Sequence, residues 1–194
     1  LAGRALVTPL LNAPLLDAEL GGRLFVKPEP LQKTGSFKFR GAYNRISRLT
    51  PEEKRAGVIT YSSGNHAQGV AAAAREVGCP ATVVMPKDAP PLKIARTKAF
   101  GAEVVLYDRY KDSREKIAEA IQREKNCVLV KPFDDRYVIA GQGTVGNEIA
   151  DQCAALGVAP DAVFVPVGGG GLIAGSALAL RQKMPKADVF ACEP

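Results

Sequence analysis

The sequence predicts an α/β protein whose parallel sheets are covered by helices on both faces. Short runs rich in β-branched and apolar residues alternate along the 194-residue chain with longer segments at helical spacing. This alternation is typical of parallel strands that are joined by crossover helices. Several runs, such as AVFVPV at 162–167, contain no polar residue, which favours strands that are buried on both sides.

The predicted elements follow this alternation along the chain. Strands are expected at 24–29, 57–63, 81–86, 102–107, 127–132, 162–167 and 188–193. Helices are expected at 37–49, 66–78, 92–101, 112–125, 144–157 and 171–184. The first helix has Ser36 as its predicted N-cap and stops at Thr50-Pro51. Ligands bind beyond the carboxyl ends of strands in such sheets, which directs attention to the loops SSGNHAQG and GGGGLIAG.

The composition restricts the classes of function. The net charge is +6, but the 26 Lys and Arg are spread along the chain, so nucleic-acid binding is not expected. No apolar run reaches the roughly 20 residues that span a bilayer, and the N-terminus has no signal-peptide pattern. We therefore expect a cytoplasmic protein without a membrane partner.

The four cysteines are expected to be buried free thiols, since none lies in a CxxC pair: Cys79, Cys127, Cys153 and Cys192.

Four consecutive glycines, Gly168 to Gly171, follow a predicted strand and open the next helix. Glycine lets backbone amides approach an anion closely, and a helix N-terminus adds a positive partial charge. A phosphate-bearing ligand is the expected occupant, because a tight turn alone rarely needs four glycines. The stretch also fits, weakly, the dinucleotide pattern Gly169-x-Gly171-x-x-Ala174 with Glu193 beyond it. A nicotinamide-binding oxidoreductase is therefore an alternative.

The loop SSGNHAQG groups Ser62, Ser63, Asn65 and His66 at the end of a predicted strand. Serine and asparagine often bond nearby backbone groups in turns, so a purely structural loop and a ligand-binding loop both fit the pattern. His66 is the only histidine of the chain, which excludes a metal site built from several histidines.

Lys38 lies between Phe37 and Phe39 in the stretch LQKTGSFKFRGAYNR. By spacing alone it is a helix lysine whose stem rests on apolar surface while its amine reaches water. The two phenylalanines and the compact turn Thr34–Ser36 instead predict a poorly solvated amine with a lowered pKa. A neutral amine is what Schiff-base chemistry needs. Together with a phosphate loop and no histidine cluster, this lysine indicates pyridoxal 5′-phosphate as the cofactor.

Three separate motifs give the chain a resemblance to the fold-type II pyridoxal-phosphate enzymes. These are KTGSFKFRGA at 33–42, SSGNH at 62–66 and the four glycines, in the family's order and spacing, and GQGT at 141–144 is also similar. Within that family the chain resembles the serine/threonine dehydratases, near serine racemase. The resemblance covers essentially the whole chain.

The resemblance implies a two-lobed αβα architecture like that of the tryptophan synthase β-subunit. The larger lobe would comprise 1–54 and 134–194, and the smaller lobe, 55–133, would be inserted into it. Members of the family continue beyond the equivalent of Glu193, so we expect a large lobe that is truncated here. A homodimer is expected by the same resemblance.

The resemblance also implies roles for individual residues. Lys38 is expected to be the Schiff-base lysine and, once displaced by the substrate amine, the general base. Ser63 resembles the serine that acts on the opposite face of the cofactor in racemases. The expected cofactor-binding residues are Lys38, Phe37, Asn65, Gly168, Gly169, Gly170, Gly171 and Leu172. The expected substrate-binding residues are Ser62, Ser63, Asn65, His66 and Arg114. Glu193 resembles a ligand of a monovalent or divalent cation.

The implied reaction is β-elimination of L-threonine or L-serine to an α-keto acid and ammonia, which would suit isoleucine biosynthesis. The motifs leave the choice among threonine, serine and 3-hydroxyaspartate open. Within the family, serine racemase and a β-replacement synthase are alternatives. A catalytically inactive fragment or regulatory partial domain is a further alternative outside enzymes. The oxidoreductase interpretation leaves KTGSFK and SSGNH unexplained.

Overall fold

Within residues 1–193, which the computed structural model describes, the chain forms eight strands and nine α-helices. The strands are β1 (Leu11–Asn12), β2 (Phe25–Val26), β3 (Val58–Tyr61), β4 (Ala81–Pro86), β5 (Glu103–Tyr107), β6 (Val128–Leu129), β7 (Ala162–Pro166) and β8 (Asp188–Cys192). The helices are α1 (Pro14–Leu20), α2 (Lys38–Ile46), α3 (Pro51–Ala56), α4 (Asn65–Val77), α5 (Pro91–Ala99), α6 (Arg114–Lys125), α7 (Arg136–Gln142), α8 (Thr144–Ala155) and α9 (Gly171–Lys183).

Parallel sheets form the frame of the chain, as the sequence predicts. One sheet has four parallel strands in the order β5-β4-β3-β6, and β7 pairs with β8 in parallel. The carboxyl ends of β3 and β6 therefore lie side by side at one edge. The third sheet differs, because β1 and β2 form a short antiparallel ladder in which Leu11 lies opposite Val26.

Three predicted elements are corrected by the structure. The strand expected at 24–29 shrinks to β2, because the chain turns into a 3₁₀ helix at Glu29–Leu31. The strand expected at 127–132 is reduced to β6. The N-cap position of α2 is Phe37 and not Ser36, although Ser36 is extended and its hydroxyl still accepts from the Lys38 amide at 3.4 Å.

Three helices lie where the sequence predicts none, namely α1, α3 and α7. Helix α3 begins directly after Thr50, whose hydroxyl accepts from the Glu53 amide in a capping box. The predicted stop at Thr50-Pro51 is therefore also the start of another helix. Helix α7 contains a glycine that weakens it, and Asp135 compensates by accepting from the amides of Tyr137 and Val138.

Helix α2 carries Lys38 and is packed closely between α4 and α7. A Cβ placed on Gly69 of α4 would lie 3.0 Å from the Lys38 carbonyl carbon, and one on Gly141 of α7 would lie 2.6 Å from the Gly41 Cα. Both neighbouring helices thus approach α2 through glycines. On its apolar side, Phe39 and Ile46 are fully buried in the largest core cluster of the chain. These contacts fix the position of α2 relative to the four-stranded sheet.

Four charged side chains form a buried network next to the first turn of α2. Arg40, which is 0% exposed, binds Glu29 at 2.8 Å and Glu148 at 2.5 Å, and Lys27 binds Glu148 at 2.6 Å. Two positive and two negative charges therefore compensate each other. Burial would lower the pKa of Arg40, but the bonds to Glu29 and Glu148 outweigh it, so the pKa is raised. The network joins the N-terminal residues, α2 and α8.

Several large apolar side chains remain exposed on the part of the chain around β7 and on α1. Phe164 and Phe190 stack at 5.2 Å between ring centroids, and Leu15 of α1 is 85% exposed.

Cys79, Cys127 and Cys153 are buried free thiols as predicted, whereas Cys192, at the end of β8, is exposed. None of the helices in residues 1–193 combines the length and the apolarity that a membrane span needs.

Candidate active site

Lys38 follows a turn with an unusual backbone. Thr34 and Gly35 both have left-handed dihedral angles, with φ of 67° and 73°. A β-branched residue in that region costs on the order of 1–3 kcal/mol, so the surrounding contacts must hold the turn in place. The turn delivers the chain to Phe37 and starts α2 at Lys38. Strain of this kind is common at functional sites.

The Lys38 amine is desolvated and has a single backbone acceptor. Its Nζ donates to the carbonyl oxygen of Pro132 at 2.6 Å and lies 5.2 Å from the centre of the Phe37 ring. Burial lowers the pKa of Lys38, as the sequence predicts. The expected frame of two phenylalanines is wrong in one half, because the buried Phe39 ring faces the Lys33 ammonium at 5.0 Å instead.

The loop Ser62 to Asn65 lies at the carboxyl end of β3 and leads into α4. The Ser62 hydroxyl accepts from the Gly64 amide at 3.2 Å, which shapes the loop. Ser63 and Asn65 are exposed. Asn65 shares a cavity of about 820 Å³ with Phe37 and Leu172. That cavity is lined mainly by residues around β2, α8 and β7 and includes neither Lys38 nor the four glycines. The motifs are instead connected by the direct contacts described below.

His66 is buried beneath this loop rather than exposed within it. Its Nε2 lies 3.0 Å from the Val130 carbonyl oxygen, which also accepts from the Thr60 hydroxyl at 2.8 Å. A carbonyl oxygen can only accept, so Nε2 carries the proton, and Nδ1 is buried without a partner in the described chain. The pKa of His66 is lowered to about 4, chiefly by burial, which outweighs the raising effect of the bond to Val130, and with a smaller lowering effect from the Lys38 charge. The imidazole is therefore neutral at physiological pH.

The neutral state of His66 predicts a pH dependence of stability. In the unfolded chain His66 binds a proton below its ordinary pKa of 6.5, whereas in the folded chain it does so only near pH 4. The unfolded state therefore binds more protons between these values, and the free energy of unfolding falls as the pH falls. We expect a loss of about 3 kcal/mol between pH 7 and pH 4 that is specific to this residue.

Urea unfolding of wild type and His66→Asn across this pH range measures the effect. The carboxylates titrate in both proteins, so the difference between the two pH profiles isolates His66. Parallel profiles would contradict the assignment of a buried neutral imidazole.

The glycine loop, defined as Gly168 to Gly171, connects β7 to the 13-residue helix α9. A Cβ on Gly168 or Gly170 would meet nothing within 4 Å, and Gly170 has a left-handed φ of 81°. Within residues 1–193, the amides of Gly168, Gly169 and Gly170 donate to no protein acceptor. Open backbone donors at a helix N-terminus fit a phosphate group well. The donor set thus fits the phosphate of the expected cofactor.

The two remaining predicted site residues are Arg114, which lies near the serine loop, and Glu193, which lies beyond β8. Arg114 opens α6, pairs with Glu115 at 2.7 Å and places its guanidinium 5.2 Å from the ring centre of Tyr61, the residue before the serine loop. Arg114 therefore lies beside the predicted substrate loop. Glu193 is exposed beyond β8, and no group of three potential metal ligands occurs among the described residues.

Three residues outside the sequence motifs lie at the site, namely Pro132, Phe133 and Lys93. Pro132 holds the Lys38 amine, and Phe133 packs on the glycine loop. The Lys93 side chain lies over Gly64, where an added Cβ would come within 2.8 Å of its Nζ. For Pro132 and Phe133 a signal was available, because they follow β6 at the same sheet edge as the serine loop.

Comparison with known proteins identifies the family of the chain. A parallel-sheet protein with a desolvated lysine and an open glycine loop is suited to a phosphate-bearing cofactor that reacts with an amine. The family model for "pyridoxal-phosphate dependent enzyme" matches residues 3–194. The chain belongs to that family, as its motifs predict.

Individual relatives confirm the predicted fold class. The chain is 46% identical to the serine racemase of Schizosaccharomyces pombe, covering 96% of this chain and 57% of the relative. It is also 46% identical to the L-threo-3-hydroxyaspartate ammonia-lyase of Saccharomyces cerevisiae, covering 96% and 56%.

Solved structures give the same result. A threonine deaminase from T.th. is 50% identical with a TM-score of 0.91, covering all of this chain and 61% of that one. Maize serine racemase is 41% identical with a TM-score of 0.94, covering 100% and 57%. The chain thus spans somewhat more than half of the length of these relatives.

Proposed function

We propose that the protein is a pyridoxal-phosphate dependent ammonia-lyase. It would convert L-threonine, L-serine or a related β-hydroxy amino acid into an α-keto acid and ammonia. The observation that carries the proposal is the desolvated Lys38 amine, which is held by Pro132, the residue before the Phe133 that contacts the glycine loop. The names of the relatives support it, because they include threonine deaminase and L-threo-3-hydroxyaspartate ammonia-lyase.

The cofactor is bound by groups that surround Lys38. The open amides of the glycine loop and of Leu172 would hold the phosphate, Phe37 next to the Lys38 amine would border the ring, and Asn65 would donate to the phenolic oxygen on the ring. When bound, pyridoxal phosphate supplies a conjugated ring that accepts negative charge from the substrate α-carbon. Lys38 would hold the cofactor covalently. Because its pKa is lowered, a larger fraction of Lys38 is neutral and able to remove the α-proton.

The substrate carboxylate is bound at the start of α4. Ser62, Ser63 and Asn65 present hydroxyl and amide groups there, together with the backbone of the buried His66. The N-terminus of a 13-residue helix favours a negative charge at this point. Arg114 lies close enough to Tyr61 to add a positive charge on the substrate side. The β-hydroxyl leaves as water, and hydrolysis of the enamine product yields the keto acid and ammonia.

Amino-acid racemisation is the second candidate, because the relatives include serine racemases and Ser63 is exposed at the loop. Ser63 would then exchange a proton on the face of the substrate opposite Lys38. We expect Ser63→Ala to suppress racemisation of L-serine by about 10²-fold or more and elimination much less, since a positioned acid–base group contributes about that much. Chiral analysis of the amino acid together with keto-acid release measures both. Equal loss of both activities would contradict the face-specific role.

The proposal is tested on the whole protein, including any sequence beyond these residues. L-threonine, L-serine and L-threo-3-hydroxyaspartate are supplied separately while keto acid, ammonia and the visible spectrum are recorded. The proposal predicts bound cofactor and equal release of keto acid and ammonia from at least one of them. If added sulfide is incorporated into an amino-acid product and no keto acid forms, the protein is a β-replacement synthase. If no cofactor band appears, the protein is inactive. A smaller lobe at 55–133 inserted into the larger one, a homodimer and a cation at Glu193 are proposed with it on the family resemblance. A cytoplasmic location is proposed from the sequence pattern alone.

A further inference from the structure

One short segment contacts all three sequence motifs. This bridge segment, residues 130–133, follows β6 at the edge of the four-stranded sheet. The Val130 carbonyl oxygen accepts from His66, and the Pro132 carbonyl oxygen accepts from Lys38. The next residue, Phe133, lies against the glycine loop. The serine loop, the lysine and the glycine loop therefore share one backbone support.

The contact between Phe133 and the glycine loop is tight and one-sided. A Cβ on Gly169 would overlap the Phe133 ring, with Cε1 2.6 Å away. A Cβ on Gly171 would lie 3.1 Å from the Phe133 Cα. Gly168 and Gly170, by contrast, face open space. Alternate glycines thus face Phe133 and the open side. At Gly169 the Phe133 ring excludes a Cβ, and at Gly171 a Cβ would fit only if Phe133 shifted slightly.

The phenylalanine ring is not simply part of the core. Phe133 is 40% exposed and does not belong to any of the three apolar clusters of the described chain. Its ring nevertheless lies against the glycine loop and prevents the loop from moving towards the bridge segment. One residue earlier, Pro132 fixes the Lys38 amine at 2.6 Å. The contact with the Lys38 amine and the contact with the glycine loop therefore come from adjacent residues, Pro132 and Phe133, and only one peptide unit separates them.

We propose that Phe133 is a positioning residue that supports the glycine loop from behind and holds its amides at the correct distance from Lys38. The inference rests on the proposed function, since it assigns Phe133 a role in binding the cofactor phosphate. A residue with this role affects ligands that carry a phosphate and leaves those without one nearly unaffected. A residue that only stabilises the fold affects both ligands alike.

The first experiment titrates pyridoxal 5′-phosphate and pyridoxal into the cofactor-free whole protein, followed by protein fluorescence and visible absorbance. We expect Phe133→Ala to weaken binding of pyridoxal 5′-phosphate by about 10- to 100-fold, the effect of misplacing hydrogen bonds to a charged group. Binding of pyridoxal should change less than about 3-fold, since the bonds it lacks are the ones affected. Tyr110→Ala, which removes an 88% exposed aromatic ring, is the control and should change neither.

The second experiment tests the steric contact directly. Gly169→Ala should weaken binding of pyridoxal 5′-phosphate strongly when Phe133 is present, because the new methyl group overlaps the ring. In the Phe133→Ala background the same change should cost at least about 10-fold less, since contacting residues are non-additive. Equal cost in both backgrounds would overturn the proposal. The thermal midpoint of each cofactor-free variant shows whether it folds, and Phe133→Leu replaces Phe133→Ala if that protein is unfolded.

The outcomes separate this inference from the proposed function. If wild type does not prefer pyridoxal 5′-phosphate to pyridoxal, the glycine loop does not bind phosphate and both proposals fail. If wild type shows the preference and Phe133→Ala keeps it in full, the role of Phe133 is wrong and the proposed function stands. If Phe133→Ala weakens both ligands equally, Phe133 acts only on the fold.

Discussion

Replacement of Lys38 by alanine is expected to lower ammonia release from the preferred β-hydroxy amino acid by about 10²- to 10⁴-fold, the usual contribution of a general base. The same change should remove the visible absorbance of the covalently bound cofactor. The physical reason is that Lys38 is the amine whose pKa is lowered by burial and whose position is fixed by the Pro132 carbonyl. Steady-state kinetics and a visible spectrum of the purified protein measure both effects.

Lys33 provides the matched control for this prediction. It belongs to the same motif, but its ammonium is partly exposed and pairs with Glu76 at 2.6 Å. Lys33→Ala should therefore keep the cofactor absorbance and most of the activity, at a cost of about 1 kcal/mol or less in stability. Retained cofactor absorbance and ammonia release in Lys38→Ala would contradict the assignment of Lys38.

Replacement of Arg40 by methionine is expected to lower the free energy of unfolding by about 3–5 kcal/mol. Arg40 is fully buried and binds both Glu29 and Glu148. Without Arg40, the two negative charges of Glu29 and Glu148 are compensated only by the single positive charge of Lys27. Chemical unfolding of the whole protein gives the change in free energy, and the midpoint of thermal unfolding should fall in parallel.

Two further variants give the Arg40 prediction its specificity. Arg55→Met makes the same chemical change in an exposed pair with Glu52 and should cost less than about 1 kcal/mol. Combining Arg40→Met with Glu29→Gln removes one of the unpaired charges, so the double variant should be more stable than the sum of the single effects predicts. If Arg40→Met costs no more than Arg55→Met, the buried network does not stabilise the chain.

The sequence predicted the parts of the site that depend on short motifs. Strand–helix alternation indicated the parallel sheet. The rule that ligands bind beyond the carboxyl ends of parallel strands directed attention to the serine loop and the glycine loop. The lowered pKa of Lys38 followed from its apolar neighbours. These features depend on residues that are close in the chain, or on a rule that holds for every parallel sheet.

The sequence did not predict the contacts between distant segments. Lys38 and Pro132 are 94 residues apart, and Arg40 and Glu148 are 108 residues apart, so neither pair leaves a local pattern. The expected Phe39 frame failed for a geometric reason: successive residues of a helix point about 100° apart, which turns Phe39 into the core. Helix α7 was missed because its glycine lowers the helix propensity, and close packing against α2 makes that glycine necessary.

The proposed role of Lys38 is to bind the cofactor covalently within a site formed by the serine loop and the glycine loop. Reduction of the cofactor-loaded protein with borohydride fixes the cofactor to its lysine, and peptide mass spectrometry locates it. We expect one modified peptide, which contains Lys38. Modification of a different lysine, or none in a protein that carries the visible cofactor band, would contradict it.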